Sequence, residues 1–397
     1  MRNLFLIVSL LLSTCLFAQT KTFLIARNSG EKVLADGRKI KSMGYATKLS
    51  ENPGIPGPTL VYYEGDSVTI DLWNVSQGAP HTIHLHGLDV DQQNDGVPHL
   101  SFTVEHMKHG FYTFKAPHPG TYLYHCHVVS AIHVQGGMYG MLIVKPKNEV
   151  NKTWSNGYEY ANEYNFLFSE IDTTWHHDSV MDHSTDHMHV KLPAYNPSYF
   201  LSNGSSGSQL FEQNMHLLID QQTYVRVANM GYYGNRITFP SNVSVTIIDS
   251  DGRPLPKPIL SDTLYMFPGE RYGFLIEANA IHSDSFKVEY LDMNTLSSKG
   301  ELFLKYSVVD DLNIEDIQKS ELSIYPNPSG GELNVSLKNS SQLLESIHIR
   351  SLDGRLVYLS NPTDNKAFTN ISLSSGVYVV SARLNTGVII QERVIVL

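Results

Sequence analysis

The sequence predicts an all-β protein built of successive β-sandwich units, and three observations carry that expectation. Short apolar–polar alternations recur along nearly the whole chain. They are punctuated by Gly, Pro and Asn, and no long segment of 3.6-residue periodicity interrupts them. At 397 residues the chain has room for two or three domains with ample core.

The extreme N-terminus does not fit the β pattern. Arg2 precedes the apolar run Leu4 to Leu12, and Leu16-Phe17-Ala18 offers a cleavage site. The run is too short to span a bilayer, so residues 1–18 are expected to be a removable export signal. A lipid anchor on Cys15 is the alternative, although Thr14 fits a lipobox poorly.

From about residue 19 to 147 the alternation is clearest, as in Ser67-Val68-Thr69-Ile70-Asp71-Leu72 and Gly110-Phe111-Tyr112-Thr113-Phe114. A second all-β unit is expected over 148–310. It contains Val243-Ser244-Val245-Thr246-Ile247-Ile248, the turn Asp251-Gly252, and Leu264-Tyr265-Met266-Phe267 before Pro268-Gly269-Glu270. Within it, Trp175 to Ser208 is rich in His, Met, Ser, Asn and Gly and reads as a long surface excursion. A polar connector over 311–320 leads to a third small β unit, 321–397.

The formal net charge is -10 and no run of Lys or Arg occurs, which argues against a nucleic-acid partner. The chain has two cysteines, and removal of the signal would leave Cys126 alone. An internal disulfide is then impossible. A lone thiol is usually an apolar core residue; here its neighbours point elsewhere.

Two clusters carry chemistry. One is His81-Thr82-Ile83-His84-Leu85-His86-Gly87. The other is Tyr124-His125-Cys126-His127, followed by His133 and Gly136-Gly137-Met138. Side chains on a strand alternate between faces, so parity sorts these residues into two sets. His81 and Cys126, joined by His133 and Met138, make two imidazoles, a thiolate and a thioether, the ligand list of a blue-copper site. His84, His86, His125 and His127 make a second set with no sulfur, suited to copper that binds oxygen or another small acceptor. Cys126 is covalently adjacent to His125 and His127, which offers a short electron path between the sets. The histidines and methionines at His176, His177, Met181, His183, His187, Met188 and His189 suggest a copper-delivery or cuprous-substrate loop. The alternative is a solvated loop. His99, His106, His109 and His118 have no parity argument and are expected to be surface or structural residues.

The stretch from Gly54 to Lys145 resembles the multicopper oxidases. Gly57-Pro58-Thr59 and Glu64-Gly65-Asp66 precede the His-Leu-His-Gly motif, Asp95-Gly96-Val97-Pro98 follows it, and Gly120-Thr121-Tyr122-Leu123-Tyr124-His125 introduces the cysteine. The region from His216 to Ala278 looks like the family's copper-free second domain, marked by Asp251-Gly252 and Pro268-Gly269-Glu270-Arg271-Tyr272. The resemblance implies two cupredoxin-like Greek-key sandwiches with copper as cofactor. It implies oxidation of a donor at the blue site and reduction of dioxygen at the histidine-bound site. Laccase-like members usually place the blue-copper cysteine in a third domain. Copper nitrite reductases place it in the first of two, and are the alternative reading. They carry an Asp where this chain has His84 and lack the histidine at position 127, which favours oxygen chemistry. A non-catalytic electron carrier or copper-binding protein is a third reading.

An oxygen-reducing cluster of three coppers needs about eight imidazoles. The first domain supplies half, and Phe239-Pro240-Ser241-Asn242 in the second brings none. Completion would require a second chain, as in a homodimer whose two first domains face each other. A trimer with a mononuclear second site is the alternative that the nitrite-reductase resemblance implies. The donor is open among phenols, cuprous ion, ferrous ion and a protein.

The last unit opens with Leu322-Ser323-Ile324-Tyr325-Pro326-Asn327-Pro328 and continues through Asp353-Gly354-Arg355 and Leu373-Ser374-Ser375-Gly376-Val377-Tyr378. It resembles the C-terminal sorting domain of the type IX secretion system. This implies passage through periplasm and outer membrane by that machinery, followed by release or surface attachment.

Overall fold

A computed structural model describes residues 20–182 apart from Ala79, residues 191–310, and most of 322–396. The signal segment with Cys15, the histidines at 183, 187 and 189 with Met188, the connector 311–320 and Asp353-Gly354-Arg355 lie outside the described residues.

The first sandwich contains β1 (Thr20–Val33), β2 (Lys39–Ala46), β3 (Leu60–Tyr63), β4 (Ser67–Asn74), β5 (His84–His86), β6 (His109–Lys115), β7 (Gly120–His125) and β8 (Tyr139–Lys145). One sheet runs β2-β1-β4-β6 and the other β3-β8-β7-β5. The pairs β1/β4 and β3/β8 are parallel, so the chain crosses between sheets in a Greek-key manner. Alternation in β4 turns Val68, Ile70 and Leu72 into a core with Ile83, Leu85, Tyr112, Tyr122 and Tyr124.

A seven-residue helix, α1 (Ser130–Gly136), separates β7 from β8. The sequence pattern gave no sign of it, because a segment this short shows no sustained period. It starts from Val129 at φ 43° and stops at Gly137 at φ 115°, a conformation that glycine adopts without steric penalty.

The second sandwich contains β9 (Asn162–Ile171), β10 (Tyr199–Ser202), β11 (Met215–Leu218), β12 (Thr223–Asn229), β13 (Gly234–Thr238), β14 (Ser244–Ser250), β15 (Arg253–Leu260), β16 (Thr263–Met266), β17 (Arg271–Glu277), β18 (Ser283–Leu291) and β19 (Ser298–Val309). Its sheets run β10-β9-β12-β17-β14-β15 and β11-β19-β18-β13-β16. The last unit has sheets β20-β21-β24 and β23-β22-β25-β26. These strands are β20 (Leu322–Tyr325), β21 (Leu333–Leu337), β22 (Leu344–Ser351), β23 (Leu356–Ser360), β24 (Lys366–Thr369), β25 (Gly376–Leu384) and β26 (Ile389–Val396).

Strand β7 is buried along its whole length. Tyr122 and Tyr124 point into the first core, whereas Leu123 joins an apolar cluster with Leu167, Leu201, Ala228 and Met230 of the second sandwich. The two sandwiches are thus joined through the back of β7 and β8. A buried polar contact reinforces the seam: Arg226 donates to Thr121 Oγ1 at 3.1 Å and to Glu163 at 2.6 Å.

The expected surface excursion begins differently from its reading. Trp175 is buried in the first core together with Val180 and Met181 of α2 (Asp178–Met181). Its polar composition hid a few well-placed apolar residues that cover the first sandwich.

Candidate metal centres

Parity along β5 and β7 creates two sites on opposite faces of one sheet. Ile83 and Leu85 point inward, so His84 and His86 point outward. Tyr122 and Tyr124 point inward, and Cys126 continues that face just beyond the strand end. His125 pairs directly with His84 and shares the outer face.

On the inner face, ligand atoms of His81, Cys126 and His133 all lie within 4.8 Å of one another, and the three residues are buried. Cys126 Sγ lies 3.2 Å from His133 Nδ1 and 3.7 Å from His81 Nδ1. His81 is held by a two-way backbone bridge to Val104. His133 belongs to α1, whose short turn delivers the imidazole to the thiol. Met138 is fully buried in the same core, and its carbonyl accepts from the Cys126 N–H at 3.0 Å. Burial pushes the Cys126 thiol up to about 11, against opposing hydrogen bonds from Thr82.

On the outer face, ligand atoms of His84, His86 and His125 also lie within 4.8 Å of one another. His84 Nδ1 donates to the Asp95 carbonyl at 2.7 Å, and His125 Nδ1 to the Cys126 carbonyl at 3.0 Å. Both bonds direct the Nε2 lone pair into the cluster, the usual second-shell device of a metal-binding histidine. His86 Nδ1 faces His125 Nε2 at 3.4 Å. His127 stands at the edge of this group, its ring 5.3 Å from that of His84. Its backbone N–H is tied to Thr82 Oγ1. Burial lowers His125 to about 3; burial, then the Arg271 guanidinium and His84, lower His86 to about 4. These two imidazoles are therefore neutral near pH 7, the form that binds a metal.

The donor sets fit copper on their own chemistry. The inner one has two imidazoles and a thiol with a thioether in the same core, and the outer one has only imidazoles. Sequence reasoning missed the residues behind the ligands: Thr82, Asp95, Gly269 and Arg271. Only the short motifs Asp95-Gly96 and Pro268-Gly269-Glu270-Arg271 hinted at them. Of the remaining histidines, His176 is buried and donates to the Lys41 carbonyl, and His106 bonds the Ser76 carbonyl. His109 pairs with Asp71 and stacks on Trp73. All three fit structural roles, so the copper-loop reading loses His176.

Comparisons with known proteins agree with this picture. Residues 38–149 match the multicopper oxidase family, and residues 323–396 match the secretion system C-terminal sorting domain. The chain is 41% identical over 102 residues to copper resistance protein A of Pseudomonas syringae pv. tomato, covering 25% of this chain and 16% of that protein. It is 27% identical over 303 residues to the iron transport multicopper oxidase of Saccharomyces cerevisiae, covering 72% of this chain and 43% of the relative. The chain spans less than half of the length of these curated relatives. Among solved structures, the blue copper oxidase from Nitrosomonas europaea matches with a TM-score of 0.58 at 26% identity, covering 76% of this chain and 87% of that one. A copper nitrite reductase from the same organism shares the fold, with a TM-score of 0.56 at 16% identity and coverage of 74% and 95%.

Residues 38–149 thus match a multicopper-oxidase domain, and residues 323–396 a C-terminal secretion sorting domain. Such a sorting domain indicates export to the cell surface or beyond. Among the described residues no helix is long and apolar enough to cross a membrane.

Proposed function

We propose that the protein is an exported copper-dependent oxidoreductase. It oxidises a donor at the site of His81, Cys126, His133 and Met138, and reduces dioxygen at the site of His84, His86, His125 and His127. The single observation that carries this reading is the back-to-back placement of the two donor sets through His125-Cys126-His127. Copper would supply one-electron redox chemistry at the inner set and binding of the acceptor at the outer one.

The chain's own part is geometric. Cys126 and His125 are adjacent in sequence yet face opposite sides of the sheet, so the path between the sets is covalent and short. Cys126 has no exposed surface and lies in the first core near Tyr45 and Tyr112, which keeps water away from the thiol. The Asp95 and Cys126 carbonyls hold His84 and His125 in the tautomer that offers Nε2.

One observation favours a second reading of the outer site. Only three imidazoles converge, and no histidine of the second sandwich joins them among the described residues. Within one chain that suits a single copper, as in a nitrite-reductase-like enzyme, whereas a three-copper cluster would need histidines from a second copy. Passage through the type IX machinery, then release or surface attachment, completes the reading.

Metal counting with electron paramagnetic resonance, absorption and oxygen uptake on the mature protein tests it. A blue centre plus non-blue copper and oxygen consumption is expected. Blue colour without turnover of oxygen or nitrite would reduce the protein to an electron carrier.

A further inference from the structure

Among the described residues the second sandwich brings no ligand to the outer site, but it does touch it. A Cβ added at Gly269, in the turn before β17, would sit 3.0 Å from His86 Cε1 and 3.3 Å from its Nε2. The Arg271 guanidinium lies against Gly87, the residue that follows His86 in His-Leu-His-Gly. A Cβ there would meet Arg271 Nη2 at 2.2 Å. Gly87 has φ 83°, so both its conformation and its neighbour require glycine.

Arg271 is 4% exposed and its contacts form a clamp. Nε donates to the Thr121 carbonyl of β7 at 3.3 Å, and Nη1 to the Gly269 carbonyl at 2.8 Å. Nη1 also pairs with Asp251 at 2.9 Å. One side chain thereby ties the second sandwich to the strand that ends at His125 and packs it against Gly87, just past the end of the strand that carries His86.

We infer that Arg271 and Gly269 are positioning residues that set the copper affinity of the His84, His86 and His125 site from the ligand-free domain. Arg271 fixes the β5 end against β7, and Gly269 leaves the gap that the His86 ring occupies. A guanidinium suits this task because its fork reaches the Thr121 carbonyl on β7 and, at once, the Gly269 carbonyl and Asp251 carboxylate in two turns of the second sandwich. Shape alone thus gives the second sandwich a role in the chemistry of the first. The inference rests on the copper reading above for the identity of the metal.

The test is equilibrium dialysis of the full mature chain against cupric ion, with separate spectroscopic counts of blue and non-blue copper. Arg271→Ala and Gly269→Ala should each weaken non-blue copper by about ten- to hundredfold, as loss of groups behind metal ligands does. Blue absorption should be unchanged in both. Arg271→Lys should recover only part of the loss. Lys39→Ala, which removes an exposed ion pair with Glu31, should change nothing. Normal non-blue affinity in Arg271→Ala overturns the inference. So does parallel loss of blue and non-blue copper in both alanine variants, since that marks a general role in folding. If Arg271→Ala does not fold, Gly269→Ala decides, because it keeps the Arg271 side chain. An alanine at φ 85° also strains the turn, but the ratio of non-blue to blue copper separates pressure on His86 from general destabilisation. Absence of non-blue copper from the unaltered protein would instead defeat the copper reading itself.

Discussion

The two sandwiches are built to one plan and used for different ends. In the first, β1 pairs antiparallel with β2 and parallel with β4, which pairs with β6; in the second, β9 does the same with β10 and β12, which pairs with β17. The opposite sheets agree as well: β3-β8-β7-β5 corresponds to β11-β19-β18-β13. The slot formed by β5 and β7 holds His84 opposite His125. The matching slot of β13 and β18 holds Arg236 opposite Glu289, joined at 2.6 Å. The same backbone slot thus carries two imidazoles in one domain and an ion pair in the other. Fold supplies the slot, and local residues decide what occupies it.

The largest expected effect lies in the first sandwich. Cys126→Ser removes the only thiol among the described residues, so blue absorption should vanish entirely. Copper held by His84, His86 and His125 should remain, because those side chains leave the other face of the sheet. Absorption together with metal counting checks both halves. Loss of both coppers would mean that the two faces are not independent.

Next comes the seam between the domains. Arg226 has no exposed surface, and its charge is met by Glu163 and Thr121. Lys145 stays paired with Glu163 in Arg226→Ala. The expected loss, about 2–4 kcal/mol, therefore comes from the hydrogen bonds and packing that the buried guanidinium makes and not from a stranded carboxylate. Denaturant unfolding followed by fluorescence reads it.

At the other end of the seam, Glu170 is buried with Tyr195 and the Tyr232 and Tyr233 amides as donors. Burial raises its carboxyl from 4.5 to about 7. The folded state therefore holds a proton that the unfolded state has lost between those two values. Stability should fall as pH rises through that window, by roughly 2–3 kcal/mol. Glu170→Gln should flatten the curve there and leave the variant the more stable form above pH 7. An unchanged slope would assign the pH dependence to other groups.

How much of this was legible in sequence follows from the range of each interaction. Strand β4 was readable because Val68, Ile70 and Leu72 alternate locally. The split of His84, His86 and His125 from His81 and Cys126 was readable for the same reason, since face is decided by parity within a few residues. Helix α1 was not, because it is shorter than any period that could announce it. Trp175, Val180 and Met181 were hidden by the polar residues around them. Arg271 and Gly269 were invisible as neighbours of His86 because they are far away in sequence, and only the pairing of whole domains brings them there. Local rules thus reach the ligand candidates, while their supports depend on tertiary packing.

The smallest effect returns to the comparison of slots. Arg236 and Glu289 occupy the place of the histidine pair, yet the Arg236 side chain is 37% exposed, so solvent screens the pair. Lys287 also lies 3.5 Å from Glu289 and can carry part of the charge balance if Arg236 is lost. Arg236→Ala should therefore cost only about 0–1 kcal/mol and leave both copper counts unchanged. Unfolding and metal analysis of this one variant measure both. A larger loss of stability would mean that the ion pair carries structural weight in the second sandwich. A change in copper content would mean that this slot, too, communicates with the metal sites.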